Sequence, residues 1–270
     1  MRRALGLLIL AVLAPLAELP AQKGPVHAPE VVEFTAVDYG WKGPAEIPSG
    51  WVTFRMPNAG REHHIMFLYR LPDGATWEDW SRARETGESP AWLDDLVLVG
   101  GPGLVAPGET AQTTVDLEPG EYVLSCPLET RNGVSHVRKG MERPLTVTEE
   151  PSGASEPEAD LTLTLRGTEF GIDGTPHAGK NTIRGHFEEQ PADVHDVHLA
   201  RLDDEATVDQ LVPWFDGVPR APAPALFLGG VEQMPAGSTA YFTVDLEPGR
   251  YAWICHEHAD RGMVEVFTVE

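Results

Sequence analysis

The segment TVDLEPG stands at positions 114–120 and again at 243–249. Each copy runs into a short apolar stretch ending in cysteine, EYVLSC to Cys126 and RYAWIC to Cys255. Upstream the correspondence holds at a constant offset of 129 residues: Gly100-Gly101 answers Gly229-Gly230, and Pro107-Gly108 answers Ala236-Gly237. Farther back the offset is 131, pairing Tyr39-Gly40 with Phe170-Gly171 and Arg70-Leu71 with Arg201-Leu202. Downstream, His136-x4-Met141 answers His258-x4-Met263. A unit of about 115 residues far exceeds the usual solenoid periods. It is the size of an ordinary domain, so the 270 residues must build two similar cores.

Within each copy the apolar residues come in short alternating runs. In the first they fall at 31–35, 51–54, 65–71, 112–115, 122–126 and 145–147, with Gly and Pro between them. That spacing predicts an all-β chain, one β-sandwich per copy. Only 76–85 and 206–215 read as helical, and Pro213 should shorten or kink the second. Residues 149–159 lack apolar periodicity and are rich in Glu, Pro and Ser, as a solvated linker is. The expected domains are therefore 28–148 and 160–270.

The first 21 residues read as an export signal: Arg2 and Arg3, an apolar run over 4–17, then Leu19-Pro20-Ala21 as a cleavage site. The mature chain is expected in the periplasm or outside the cell, with no membrane span. A net charge of −22 argues against nucleic acid as a partner, since phosphate binding needs a basic face. It favours a basic partner instead. An exported chain with two cysteines would ordinarily pair them. Here they occupy equivalent positions in separate domains, which seldom approach within the roughly 4.4–6.8 Å between Cα atoms that a disulfide needs. Both are expected to be free.

The chemistry is concentrated in Cys255-x2-His258-x4-Met263. Thiolate, imidazole and thioether on one tight connection between strands form a soft donor set. A second imidazole from elsewhere would make it selective for copper. His195, in the alternating run Val194-His195-Asp196-Val197-His198-Leu199, is the natural candidate, sharing a face with Val197 and Leu199. His198 faces the other way and is expected to be solvated, as is His256.

His195 followed by Cys255-x2-His258-x4-Met263 resembles the cupredoxin family, with spacing nearest plastocyanin and amicyanin. The resemblance implies a Greek-key β-sandwich holding one type 1 copper, with His195, Cys255 and His258 equatorial and Met263 a weak axial ligand. It also implies that electrons leave by an exposed edge of His258. The family usually carries Asn after the first His. Asp196 stands there, which puts in doubt a hydrogen bond that braces the Cys loop. In the first copy Cys126, His136 and Met141 take the corresponding places, with a longer loop, Cys-x9-His-x4-Met, like that of copper nitrite reductases. Asn132-Gly133 within it should let it fold back. Its upstream His is either His63, by spacing from Asn58-Ala59-Gly60, or His64, which aligns with His195.

The expected function is one-electron transfer to or from a redox partner protein, such as a basic cytochrome. The alternatives are a small copper oxidase or nitrite-reductase-like enzyme, or copper storage and delivery. An enzyme would need extra convergent imidazoles, for which His27, His177, His186, His198 and His256 remain.

Overall fold

The computed structural model describes residues 27–188, 194–203, 205–215 and 222–270; the expected export signal lies outside them. Alternating side chains form strands in both halves. In the first half these are β1 (Glu30–Glu33), β2 (Thr35–Val37), β3 (Gly40–Lys42), β4 (Glu46–Pro57), β5 (Phe67–Arg70), β6 (Val97–Leu98), β7 (Thr110–Leu117), β8 (Gly120–Ser125) and β9 (Glu142–Pro151). In the second they are β10 (Leu161–Arg166), β11 (Glu169–Asp173), β12 (Gly179–Phe187), β13 (His195–Leu202), β14 (Ala225–Met234), β15 (Thr239–Leu246), β16 (Gly249–Ile254) and β17 (Val264–Val269). The first three residues of the expected linker continue β9.

Helix α1 (Trp77–Thr86) starts at a capping box, Thr76 and Asp79 bonding each other's backbone N–H, and stops at Gly87 in the left-handed region. It buries Trp80 and Ala83. Helix α2 (Val208–Phe215) begins two residues later than its sequence suggests and contains Pro213.

Each half is a β-sandwich. In the first, β4 serves both layers: its start runs parallel to β9, and from Gly50 onward it pairs antiparallel with β7. Gly50, at φ +83°, makes the turn between layers. The second layer runs β9-β8-β5-β6. In the second half, β11-β10-β12-β15 faces β14-β13-β16-β17. Phe34 and Phe54 stack in one core, and Phe242 meets Trp253 edge-on in the other.

The repeated TVDLEPG explains itself as a corner. The Tyr122 hydroxyl donates to the Glu118 carbonyl at 2.7 Å, and Tyr251 does the same to Glu247 at 2.8 Å. Arg70 and Arg201 then pair with the Glu118 and Glu247 side chains, each at 2.6 Å.

The two halves are also joined by backbone. Strand β15 pairs with β7, Phe242 opposite Thr113, making one continuous sheet across the molecule. On the other side the stretch 100–106 runs antiparallel to β14. Gly100 N–H donates to Gln233 and Gly229 N–H to Leu104; Gly103 donates to Gly230 and Glu232 to Gly101. Each bond has its counterpart at the repeat offset, so the halves are related by an approximate two-fold axis passing near Pro102 and Val231. The double glycines lie on this seam. A Cβ on Gly101 or Gly230 would overlap the carbonyl oxygen of Met66 or Val197.

Candidate metal centres

Two sets of buried donors sit at equivalent places in the two halves, one being His64, Cys126 and His136 and the other His195, Cys255 and His258. The backbone sets most of each. After β16, residues His256–Arg261 form a short 3-10 turn closed by Gly262 at φ 95°. Cys255 N–H donates to Met263 and Met263 N–H to His258, which closes the loop on itself. The first half repeats both bonds between Cys126, Met141 and His136. Its longer loop folds back through Gly133 N–H to Thr130 and His136 N–H to Leu128. Met141 and Met263 are fully buried.

The Cys126 sulfur lies 3.8 Å from His64 Nδ1 and 3.4 Å from His136 Nδ1. The Cys255 sulfur lies 3.6 Å from His195 Nδ1 and 3.4 Å from His258 Nδ1. A late first-row ion bonded at about 2.0 Å to nitrogen and 2.3 Å to sulfur sets such donors roughly 3.5–3.7 Å apart. The residues fit an ion of that kind as they stand. His63 is not in the first set: its ring meets Trp214 at 5.3 Å and Phe227 at 5.8 Å, both from the other half.

Electrostatics favours neutral imidazoles at His64 and His136 and protonated thiols in both sets in the absence of an ion. Burial, aided by the neighbouring His136, lowers the His64 pKa to about 4. Burial also lowers that of His136. It pushes the Cys126 thiol up to about 12. Burial and the Asp196 carboxylate raise the Cys255 thiol. Binding must therefore displace the thiol proton.

Three neighbours differ from expectation. Asp196 does brace the Cys loop, accepting the His256 N–H at 2.6 Å. His198 is buried, because the outer face of β13 is covered by the other half; its Nδ1 accepts the Leu104 N–H at 3.0 Å. That bond leaves the ring proton on Nε2, which points toward Asp196 at 3.5 Å and Glu232 at 3.8 Å. His198 thus donates to Asp196, with Glu232 close by but beyond hydrogen-bonding distance. His258 is buried as well and does not present the open imidazole edge that the resemblance implies. His256 is exposed, as expected.

Sequence reading missed Asp38, Tyr39 and Glu62, which surround the first centre. The backbone N–H groups of Arg61 and Glu62, with His64, hold the Asp38 carboxyl below its usual range against the opposing effect of burial. The one available signal was that Tyr39 answers Phe170, a hydroxyl present in one copy alone.

No protein-family model matches the chain, and no curated protein matches it. Among solved structures it is similar to an auracyanin from the photosynthetic bacterium Roseiflexus castenholzii, at 18% identity over 45% of this chain and 99% of that one, with a TM-score of 0.31. It is also similar to a multicopper oxidase (16%, 89% and 88%, 0.27) and to a Cu-containing nitrite reductase from Thermus scotoductus (13%, 89% and 61%, 0.25). These scores are too low to transfer a function from any of the three.

Proposed function

We propose that the chain is an exported, tandem cupredoxin-type copper protein that carries single electrons, with one type 1 copper in each half. The observation that supports this is the pair of fully buried His–Cys–His sets, each with a buried Met on the same loop. A His2Cys set with a weak axial thioether is the donor arrangement of electron-transfer copper sites. Copper, when bound, supplies a one-electron couple.

The chain's own residues supply rigidity. Loop backbone bonds fix the Cys, one His and the Met, while β13 or the bridge between His64 and Val105 fixes the other His. Donors held this way move little between oxidation states. The engagement of His198 by the Leu104 N–H and by Asp196 supports the carrier over an enzyme with a further imidazole-bound metal. The acidic surface suits a basic redox partner. No helix among the described residues is long and apolar enough to cross a membrane.

Metal analysis and a visible spectrum test the reading. Wild type is expected to bind two copper ions with intense colour. Cys126→Ser and Cys255→Ser should each remove one ion's band, leaving roughly half the intensity. Full colour in either variant would refute the assignment of that centre, and copper in excess of two ions with oxygen or nitrite consumption would refute the carrier.

A further inference from the structure

The first centre has an outer layer of carboxylates around its imidazoles. His64 Nε2 lies 3.1 Å from Asp38 Oδ1, and His136 Nε2 lies 2.8 Å from Glu62 Oε2. In both rings Nδ1 is the nitrogen that faces the Cys126 sulfur. An ionised carboxylate only accepts, so each Nε2 carries the proton and each Nδ1 lone pair is left facing inward. The carboxylates are held in turn. Asp38 accepts the Arg61 N–H at 3.0 Å, and the second Glu62 oxygen accepts the Tyr39 hydroxyl at 3.2 Å. The Tyr39 ring packs 4.9 Å from that of His136 and lies under the Lys139 ammonium at 4.5 Å.

Space is reserved for this layer. A Cβ on Gly60 would collide with both Asp38 Oδ1 and His64 Nε2. Asp38 and Tyr39 come from the turn of the β2–β3 hairpin, a two-stranded sheet of its own. Their counterparts at the repeat offset, Glu169 and Phe170, lie instead on β11, paired to β10 at the edge of the large sheet. Phe170 has no hydroxyl to hold a carboxylate. The hold of a Tyr39 hydroxyl on a carboxylate therefore has no counterpart at position 170, while Asp193, which answers Glu62, lies outside the described residues.

We propose that Asp38, Tyr39 and Glu62 form an anionic cap that stabilises the oxidised ion of the first centre and lowers its reduction potential. This rests on the copper reading above. Carboxylates on the outer nitrogens make the imidazoles stronger donors and add negative charge one ring away, and both effects favour Cu(II) over Cu(I). The step they bias is the gain of one electron by Cu(II), supplied by the redox partner. Both Nε2 protons stay in place, so the charge balances without proton transfer. Asp38 and Glu62 are positioning residues, acting through His64 and His136.

The test uses the full chain with Cys255→Ser, so that the remaining visible band reports the first centre alone during a potentiometric titration. Glu62→Gln and Asp38→Asn keep shape and remove charge. Each is expected to shift the Cu(II):Cu(I) ratio at a fixed potential about tenfold toward Cu(I), a rise of about 59 mV for a one-electron couple. Tyr39→Phe keeps both carboxylates and should move the potential less than either charge-removing variant. A readout without copper comes from nitrogen NMR of the metal-free chain: His64 and His136 are Nε2–H tautomers in the parent and shift toward mixtures in the variants. Unmoved potentials in copper-loaded variants would overturn the cap while leaving the copper reading intact. Failure of the Cys255→Ser chain to take up copper would overturn the copper reading of this centre, and the cap with it.

Discussion

Glu232 on β14 is a carboxylate that the fold accommodates at a cost. It is buried, its Oε1 has no hydrogen-bond partner, and the nearest imidazole nitrogen is 3.8 Å away. Burial, then the Asp196 and Glu257 carboxylates, raises its pKa well above the ordinary 4.5. A group whose pKa is higher folded than unfolded contributes stability below the unfolded value and loses it as pH rises toward the folded one. Glu232→Gln is therefore expected to unfold at a higher temperature than the parent at neutral pH, with the gap closing as pH falls toward 4.5. Thermal scans of both proteins across that range would show it, and a gap independent of pH would contradict it. Legibility at this scale was uneven. The donors on each loop could be read from spacing, because three of them are carried by one tight turn. His64 needed the internal alignment, since strand periodicity alone cannot say which of two adjacent imidazoles faces inward. Glu232 gave no signal at all: its burial is decided by the other half of the chain.

At the scale of elements, the double glycines show how a repeat can be visible while its purpose is not. Alternation predicts strands, and the strands formed where it was clearest, at β4, β7 and β8. It does not say which strand lies beside which when the partner is some 130 residues away. Gly101 and Gly230 settle that pairing, at φ 114° and 133°, by letting one backbone pass against the other. Ala at either place meets both strain and a carbonyl oxygen. Gly230→Ala and Gly101→Ala are expected to cost about 3 kcal/mol or more in denaturant unfolding. Gly237→Ala provides the control, for its φ is also positive, at 81°, but its Cβ would meet nothing within 4 Å. It should cost only the left-handed strain, about 1 kcal/mol. Equal losses at all three would mean that the seam tolerates a methyl group.

For the whole molecule, the question is whether two sandwiches behave as one body. Units joined only by a linker move and unfold independently unless their interface is extensive. Here the interface is made of backbone. A sheet runs through from β7 to β15, a second ladder joins 100–106 to β14, and the Thr113 hydroxyl donates to the Gly230 carbonyl at 2.7 Å. Opening either half would strip hydrogen bonds from buried backbone in the other, leaving polar groups unsatisfied. The halves should therefore unfold in a single transition by calorimetry and by fluorescence. Loading one centre then protects both, because a ligand bound only to the folded state stabilises everything that unfolds with it. Copper bound to Cys255→Ser, which retains the first centre alone, should move the whole transition upward by about 2.7 kcal/mol at a free concentration one hundred times the dissociation constant. If a second, copper-insensitive transition separated from the first, the seam would be a contact between independent domains, and the two-fold pairing of the glycines would have no energetic consequence.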